Sequence, residues 1–136
     1  MFKEFLREVN FVLHYIWTTT VMKKNVILTM TFDFAKETIL FCDRNIGKRN
    51  FVIHQQLMKS GTSIGANIRE AQQAESRADF IHKFKIASKE AHETEYWLAL
   101  VKEVYQLKEA QKMLDDLKNV RNIIAKIIIS SKKNHK

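Results

Sequence analysis

Two stretches of this chain have residue types and spacings that suggest chemistry. The first is "SGTSIGAN" at residues 60–67, where two glycines and several hydroxyls are the residue types of a phosphate cradle. No Gly-Lys-Ser/Thr follows, so it is not a Walker A loop. It is not G-x-G-x-x-G either, and no strand-like run precedes it. The second is Asp79-x-x-His82, a near-match to the Glu-x-x-His element with which helical bundles hold paired metals. No second copy exists, and the adjacent His92 and Glu93 would point apart on a helix. Nucleophilic catalysis needs a nucleophile, a base and an orienting group. Ser60 and Ser63 are not presented on any recognisable elbow, and the five histidines are scattered. The expectation is a protein with no catalytic residues, no metal site and no cofactor.

Charge is the stronger signal. The chain carries 23 Lys and Arg against 15 Asp and Glu, a formal net charge of +8. After Asp116 there is no acidic residue, while Lys118, Arg121, Lys126, Lys132, Lys133 and Lys136 are all basic. Lys83, Lys85 and Lys89 add a second basic cluster. Such an excess points to an anionic partner, RNA or DNA above all, although a basic run is often only a solvated face. A basic last turn also suits the helix dipole. The candidate nucleic-acid-binding residues are therefore Lys118, Arg121, Lys126, Lys132, Lys133, Lys83, Lys85 and Lys89.

These side chains need helices to position them. Proline is absent and glycine is limited to Gly47, Gly61 and Gly65, too few for a turn-rich fold. With 46% hydrophobic residues over 136 positions, one all-α domain with a true core is expected. The lone Cys42 reads as a small buried residue in a reducing, cytoplasmic setting. No run of 18 apolar residues occurs, so no membrane span is predicted. "FVLHYIWTTTVM" at 11–22 lacks the leader and cleavage site of a secretion signal.

Residues 1–30 show no sustained helical period and form a poorly defined N-terminal extension. They are either an upstream addition, since Met22-Lys23-Lys24 looks like a start of translation, or an extra helix. From about residue 31 the pattern is regular. Phe32, Ala35, Ile39, Cys42 and Ile46 mark one face of a first helix that ends near Gly47, beside Lys48 and Arg49. A second begins at the N-cap Asn50 and places Ile53, Leu57, Gly61, Ile64, Ile68 and Ala71 on one face. "SGTSIGAN" is then helix, not loop. The third begins at Ser76, with Asp79 in a capping-box-like position, and runs Phe80, Phe84, Ala87, Ala91, Thr94, Leu98, Val101, Tyr105. The fourth runs from about 108 to 131, with Leu114, Leu117, Arg121, Ile124 and Ile128 on one side. Met113, Val120 and Ile127 make its stripe wider than one neighbour needs, which suggests a contact with another subunit. Short connections make consecutive helices antiparallel.

Gly61, Gly65 and Ser60 strip bulk from helix two. Each glycine costs about 1 kcal/mol of helix propensity relative to alanine, so close packing must offset it. Ala87 and Ala91 lie mid-seam on helix three, and the expected contact is between these two strips. The predicted organisation is an extension over 1–30, an up-down antiparallel four-helix bundle over 31–133, and a basic tail over 134–136.

At 60–101 the sequence resembles the 23S ribosomal RNA intervening-sequence proteins, bacterial four-helix-bundle proteins related to the accessory protein of diversity-generating retroelements. "SGTSIGAN", "ADFIHK" and "ETEYWL" are similar to the family's motifs, with "TFDFAKETI" like its opening and "IIIS" like its close. The resemblance spans about residues 31–133. Arg69 stands where an acidic residue is expected, and residues 1–21 have no counterpart. The resemblance implies a homopentamer, no catalytic residues, and contact with nucleic acid or a reverse transcriptase. Two readings follow: a non-enzymatic oligomer that binds RNA through basic surfaces, or a protein-interaction scaffold or reverse-transcriptase accessory subunit that does not touch RNA.

Overall fold

The computed structural model describes residues 1–47 and 49–133, with the side chains of all of them except 11–25. Lys48 and the tail at 134–136, including Lys136, lie outside the described residues, as do the side chains of Met22, Lys23 and Lys24. The described chain is all-α. Its helices are α1 (Phe2–Asn45), α2 (Phe51–Ala71), α3 (Arg77–Tyr105) and α4 (Glu109–Lys133). Each packs on two others in the cyclic order α1, α2, α3, α4, and among the described residues the backbones of the diagonal pairs stay apart. Side-chain pairs fix the directions. Arg44 and Asn45 at the end of α1 bond Glu109 at the start of α4. Lys83, early in α3, bonds Glu70, late in α2. Lys102, late in α3, bonds Gln111, early in α4. Neighbouring helices therefore run antiparallel.

The helix boundaries follow local chemistry. The Asn50 side chain accepts from the backbone N–H of Ile53 at 3.2 Å, which caps α2. Ser76 accepts from the backbone N–H of Asp79 at 3.0 Å, and Asp79 accepts in turn from the Glu75 N–H at 3.2 Å. Gly47, at φ +46°, terminates α1 with its N–H on the Cys42 carbonyl. Between α3 and α4 that left-handed position is filled by Gln106, at φ 54°.

α2 continues through "SGTSIGAN" without a break. Its polar residues are satisfied within the helix. Thr62 Oγ1 donates to the Met58 carbonyl at 2.7 Å, Ser63 Oγ to Lys59 at 2.6 Å, and buried Ser60 to Leu57 at 3.3 Å. The apolar series on α2 and α3 form the core as their spacing predicts. Leu57, Ile64, Ile68, Ala71, Phe84, Ala87, Ala91, Leu98 and Val101 are all buried.

Three expectations are corrected. First, α1 does not begin near residue 31 but at Phe2, and its inner face matches the predicted one only at Cys42 and Ile46. Phe32 and Ile39 are exposed, whereas Ile27, Thr31, Phe34, Thr38, Phe41 and Cys42 are buried. Two threonines hide this face from a hydropathy pattern. Each turns its hydroxyl onto its own helix, Thr31 to the Ile27 carbonyl at 2.7 Å and Thr38 to Phe34 at 2.8 Å, so each can be buried without an orphaned donor.

Second, the glycines face α1, not α3. The atoms nearest a side chain built on Gly61 belong to Thr38, and those nearest one on Gly65 belong to Thr31. Gly61 makes room for the branched side chain of Thr38 and Gly65 for the backbone of Thr31, not for the alanines of α3.

Third, the core line of α4 is not the one predicted. Met113 and Val120 are buried together with Ala110, Leu117 and Ile124, while Leu114, Arg121, Ile127 and Ile128 are only half-buried. Of the residues that widened the stripe, Met113 and Val120 are used within the chain and Ile127 keeps part of its surface open. No described helix is long and apolar enough to cross a membrane.

Candidate nucleic-acid interface

The eight basic residues singled out by sequence divide into two groups. Lys83 and Arg121 are tied down. Lys83 Nζ bonds Glu70 at 2.8 Å, and that contact raises its pKa above the ordinary lysine value, holding the proton in place. Arg121 reaches from α4 to α3, where it pairs with Glu95 and donates to His92 Nε2 at 2.8 Å. His92 Nδ1 in turn lies 2.8 Å from the Ser88 carbonyl, which assigns the ring proton to Nδ1 and leaves Nε2 to accept. Arg121 is thus a clamp between helices, and its charge is largely answered inside the fold. Both were expected to bind nucleic acid, and their carboxylate partners make them the poorest candidates of the eight.

The other six, Lys85, Lys89, Lys118, Lys126, Lys132 and Lys133, are exposed and form no ion pair among the described residues. Lys85 and Lys89 are one turn apart on the side of α3 opposite buried Phe84, Ala87 and Ala91. Lys118, Lys126 and Lys133 follow the outward side of α4, opposite Leu117, Val120 and Ile124. The register set by Lys102–Gln111 and Arg121–Glu95 brings Lys126 level with Lys89 and Lys118 level with residue 96. The two lysine rows therefore run at matching heights on neighbouring helices.

One residue that the core periodicity passes over belongs to the same surface. Tyr96 is 60% exposed and lies edge-on to Trp97, with ring centroids 5.0 Å apart at 71°. Trp97 is held by its Nε1–H donating to Glu93 at 3.2 Å. The signal was available in the sequence: an aromatic residue off the buried face, seven residues after Lys89.

The remaining candidates are structural. Ser60, Gly61, Ala87 and Ala91 are buried and Gly65 is half-buried. Asp79 is engaged in the cap of α3. Among the described residues no cluster of three His, Cys, Asp or Glu side chains is arranged to hold a metal ion. Burial, reinforced by Asp43, pushes the Cys42 thiol up to about 12, far from a reactive thiolate.

A solved structure from Bacteroides thetaiotaomicron, a protein of unknown function from the S23 ribosomal protein family, is 42% identical and superposes with a TM-score of 0.72. It covers 76% of this chain and 98% of its own. No functionally curated protein matches the sequence. The sequence model of the 23S rRNA-intervening sequence proteins matches residues 23–128, and on that match the chain belongs to the 23S rRNA-intervening sequence protein family.

Proposed function

We propose that this protein is a non-enzymatic, cytoplasmic RNA-binding oligomer. Its four helices serve as an up-down antiparallel bundle that presents lysine rows to phosphates. The observation that carries this reading is the outward rows on the neighbouring helices α3 and α4, Lys85 and Lys89 on one and Lys118, Lys126 and Lys133 on the other, five exposed lysines with no ion-pair partner among the described residues. The family's name links its members to ribosomal RNA genes, which favours RNA over other anions. Lysine contacts phosphate as a point charge, without arginine's planar fork. Binding should therefore be weak, salt-dependent and nearly blind to sequence.

Oligomerisation, as a homopentamer on the family resemblance, is part of the same proposal. Its support has moved from α4 to α1. Leu28, Phe32, Ala35 and Ile39 form a strip beside α2, with Phe32 55% and Ile39 40% exposed. A ring would multiply the lysine rows and let weak single contacts add through avidity. The same strip also favours the second reading, a scaffold that docks a partner protein such as a reverse transcriptase.

Fluorescence anisotropy with a labelled RNA duplex over a salt series tests the proposal. The wild type should lose affinity with a log–log slope of about −0.9 per phosphate neutralised. Replacing Lys118, Lys126, Lys132 and Lys133 by glutamine should flatten that slope while light scattering shows an unchanged oligomer. If the wild type binds no RNA at about 50 mM salt, where phosphate contacts are strong, the scaffold reading takes its place.

A further inference from the structure

We infer that Tyr96 is a stacking platform for an unpaired base, and that the face it shares with Lys85, Lys89 and Lys118 takes single-stranded RNA. This rests on the RNA reading above and goes further by naming the form of RNA and the residue that selects it.

The placement comes from helical geometry. Residues 85, 89 and 96 are separated by four and seven positions, so they rise in one line along α3. That line is turned away from the core, because Ala87, Ala91, Thr94 and Leu98 on the same helix are buried while Lys85, Lys89 and Tyr96 are exposed. Lys89 and Tyr96 are about 10 Å apart along the axis at 1.5 Å per residue. An extended lysine spans much of that distance. The register with α4 puts Lys118 level with Tyr96 and Lys126 level with Lys89. The tyrosine is therefore in line with Lys85 and Lys89 on its own helix and at the height of Lys118 on the next.

The ring is also held in place. Trp97 meets it edge-to-face, and the Trp97 indole is anchored on Glu93. Glu93 is exposed one turn before Tyr96 and keeps its charge, while the carboxylate next to Tyr96 in sequence, Glu95, is paired with Arg121. An exposed aromatic held by its neighbour loses little freedom when a base stacks on it, which favours binding. Exposed tyrosine adds nothing to the core, and a phosphate-only surface has no use for it. A duplex hides its base faces, so stacking on an aromatic side chain requires an unpaired base. Aromatic platforms beside cationic tracks are how single strands are held without sequence preference. The patch ends at Glu103, which follows Tyr96 by seven residues and is exposed.

Anisotropy with the full chain, using a labelled oligouridylate of about 20 nucleotides and a blunt RNA duplex of similar length, separates the possibilities. Tyr96→Ala should weaken oligouridylate binding by about 5- to 150-fold, the value of one stacked base, and leave duplex binding within about twofold. Tyr96→Phe keeps the ring and should bind oligouridylate like the wild type. Ultraviolet crosslinking of the wild type to oligouridylate gives a readout that needs no substitution, and the adduct should map to Tyr96. Unchanged oligouridylate binding by Tyr96→Ala, equal loss on the duplex, or adducts only elsewhere would each overturn the inference while leaving the RNA reading standing. Failure of the wild type to bind either RNA would sink both.

Discussion

Thr38 of α1 fills the space that a side chain at Gly61 of α2 would need. A Cβ at position 61 would lie 2.6 Å from Thr38 Cγ2 and 2.8 Å from its Oγ1. Thr38 cannot simply rotate aside, because its hydroxyl is committed to the Phe34 carbonyl at 2.8 Å and is fully buried. Gly61→Ala should therefore destabilise the protein by about 1–3 kcal/mol through overpacking, despite alanine's better helix propensity. Thr38→Ala in the same chain should recover about 1 kcal/mol or more beyond additivity. Urea unfolding of the two single variants and the double variant measures this coupling; additive effects would mean that the two residues do not compete for space.

Gly65 makes the contrasting case. A Cβ there would lie 3.2 Å from the Thr31 carbonyl oxygen and 3.3 Å from its carbon, which are backbone atoms. No substitution at position 31 removes them. Gly65→Ala should cost about 1 kcal/mol or more, because the helices must separate slightly. Thr31→Ala should not rescue it, and a rescue as large as that at position 38 would show that the side chain is the obstacle.

Cys42 should be silent in the folded protein and conspicuous in the unfolded one. Burial raises its pKa from the ordinary value of 9.0 to about 12. Above pH 9 the unfolded chain releases the thiol proton while the folded chain keeps it. Stability from this group is therefore complete below pH 9 and declines as the pH rises from 9 towards 12. Cys42→Ala should flatten that alkaline decline. Reaction with a thiol reagent at neutral pH should proceed only as fast as the chain opens, and rapid labelling of the native protein would contradict the burial.

Arg121 should matter to stability more than to RNA. Its pair with Glu95 is partly exposed, with side-chain exposures of 28% and 45%, so Arg121→Gln should cost about 0.5–1 kcal/mol. Lys126→Gln should leave the melting temperature unchanged but lower RNA affinity more than Arg121→Gln does. The reverse ranking would place the phosphate path over the clamp.

Removing residues 1–21 should leave the bundle folded. Residues 1–8 are exposed, the family match starts at 23, and Ile27 is the first buried residue among the described side chains. Circular dichroism of the shortened chain should show a cooperative melt within about 1 kcal/mol of the full chain's stability; loss of cooperativity would show that the upstream part of α1 supplies core.

What the sequence by itself determined is local. The 4-3 apolar steps of α2 and α3, the caps at Asn50 and Ser76 and the stop at Gly47 were all legible, because each depends on neighbours within one or two turns. The inner face of α1 was legible only at Cys42 and Ile46. Thr31 and Thr38 count as polar in any pattern, yet a threonine that donates to its own helix can be buried without an orphaned donor, and only packing shows which side is covered. The spacing of Gly61 and Gly65 announced a close approach without naming the partner. That partner is α1, whose Thr38 side chain and Thr31 backbone take the room. The lysines divide for the same reason. Lys83 and Arg121 look like any others in the sequence, but their carboxylates sit 13 and 26 residues away, at Glu70 and Glu95. A charge is answered by what lies within a few ångströms, and only the tertiary fold decides what that is.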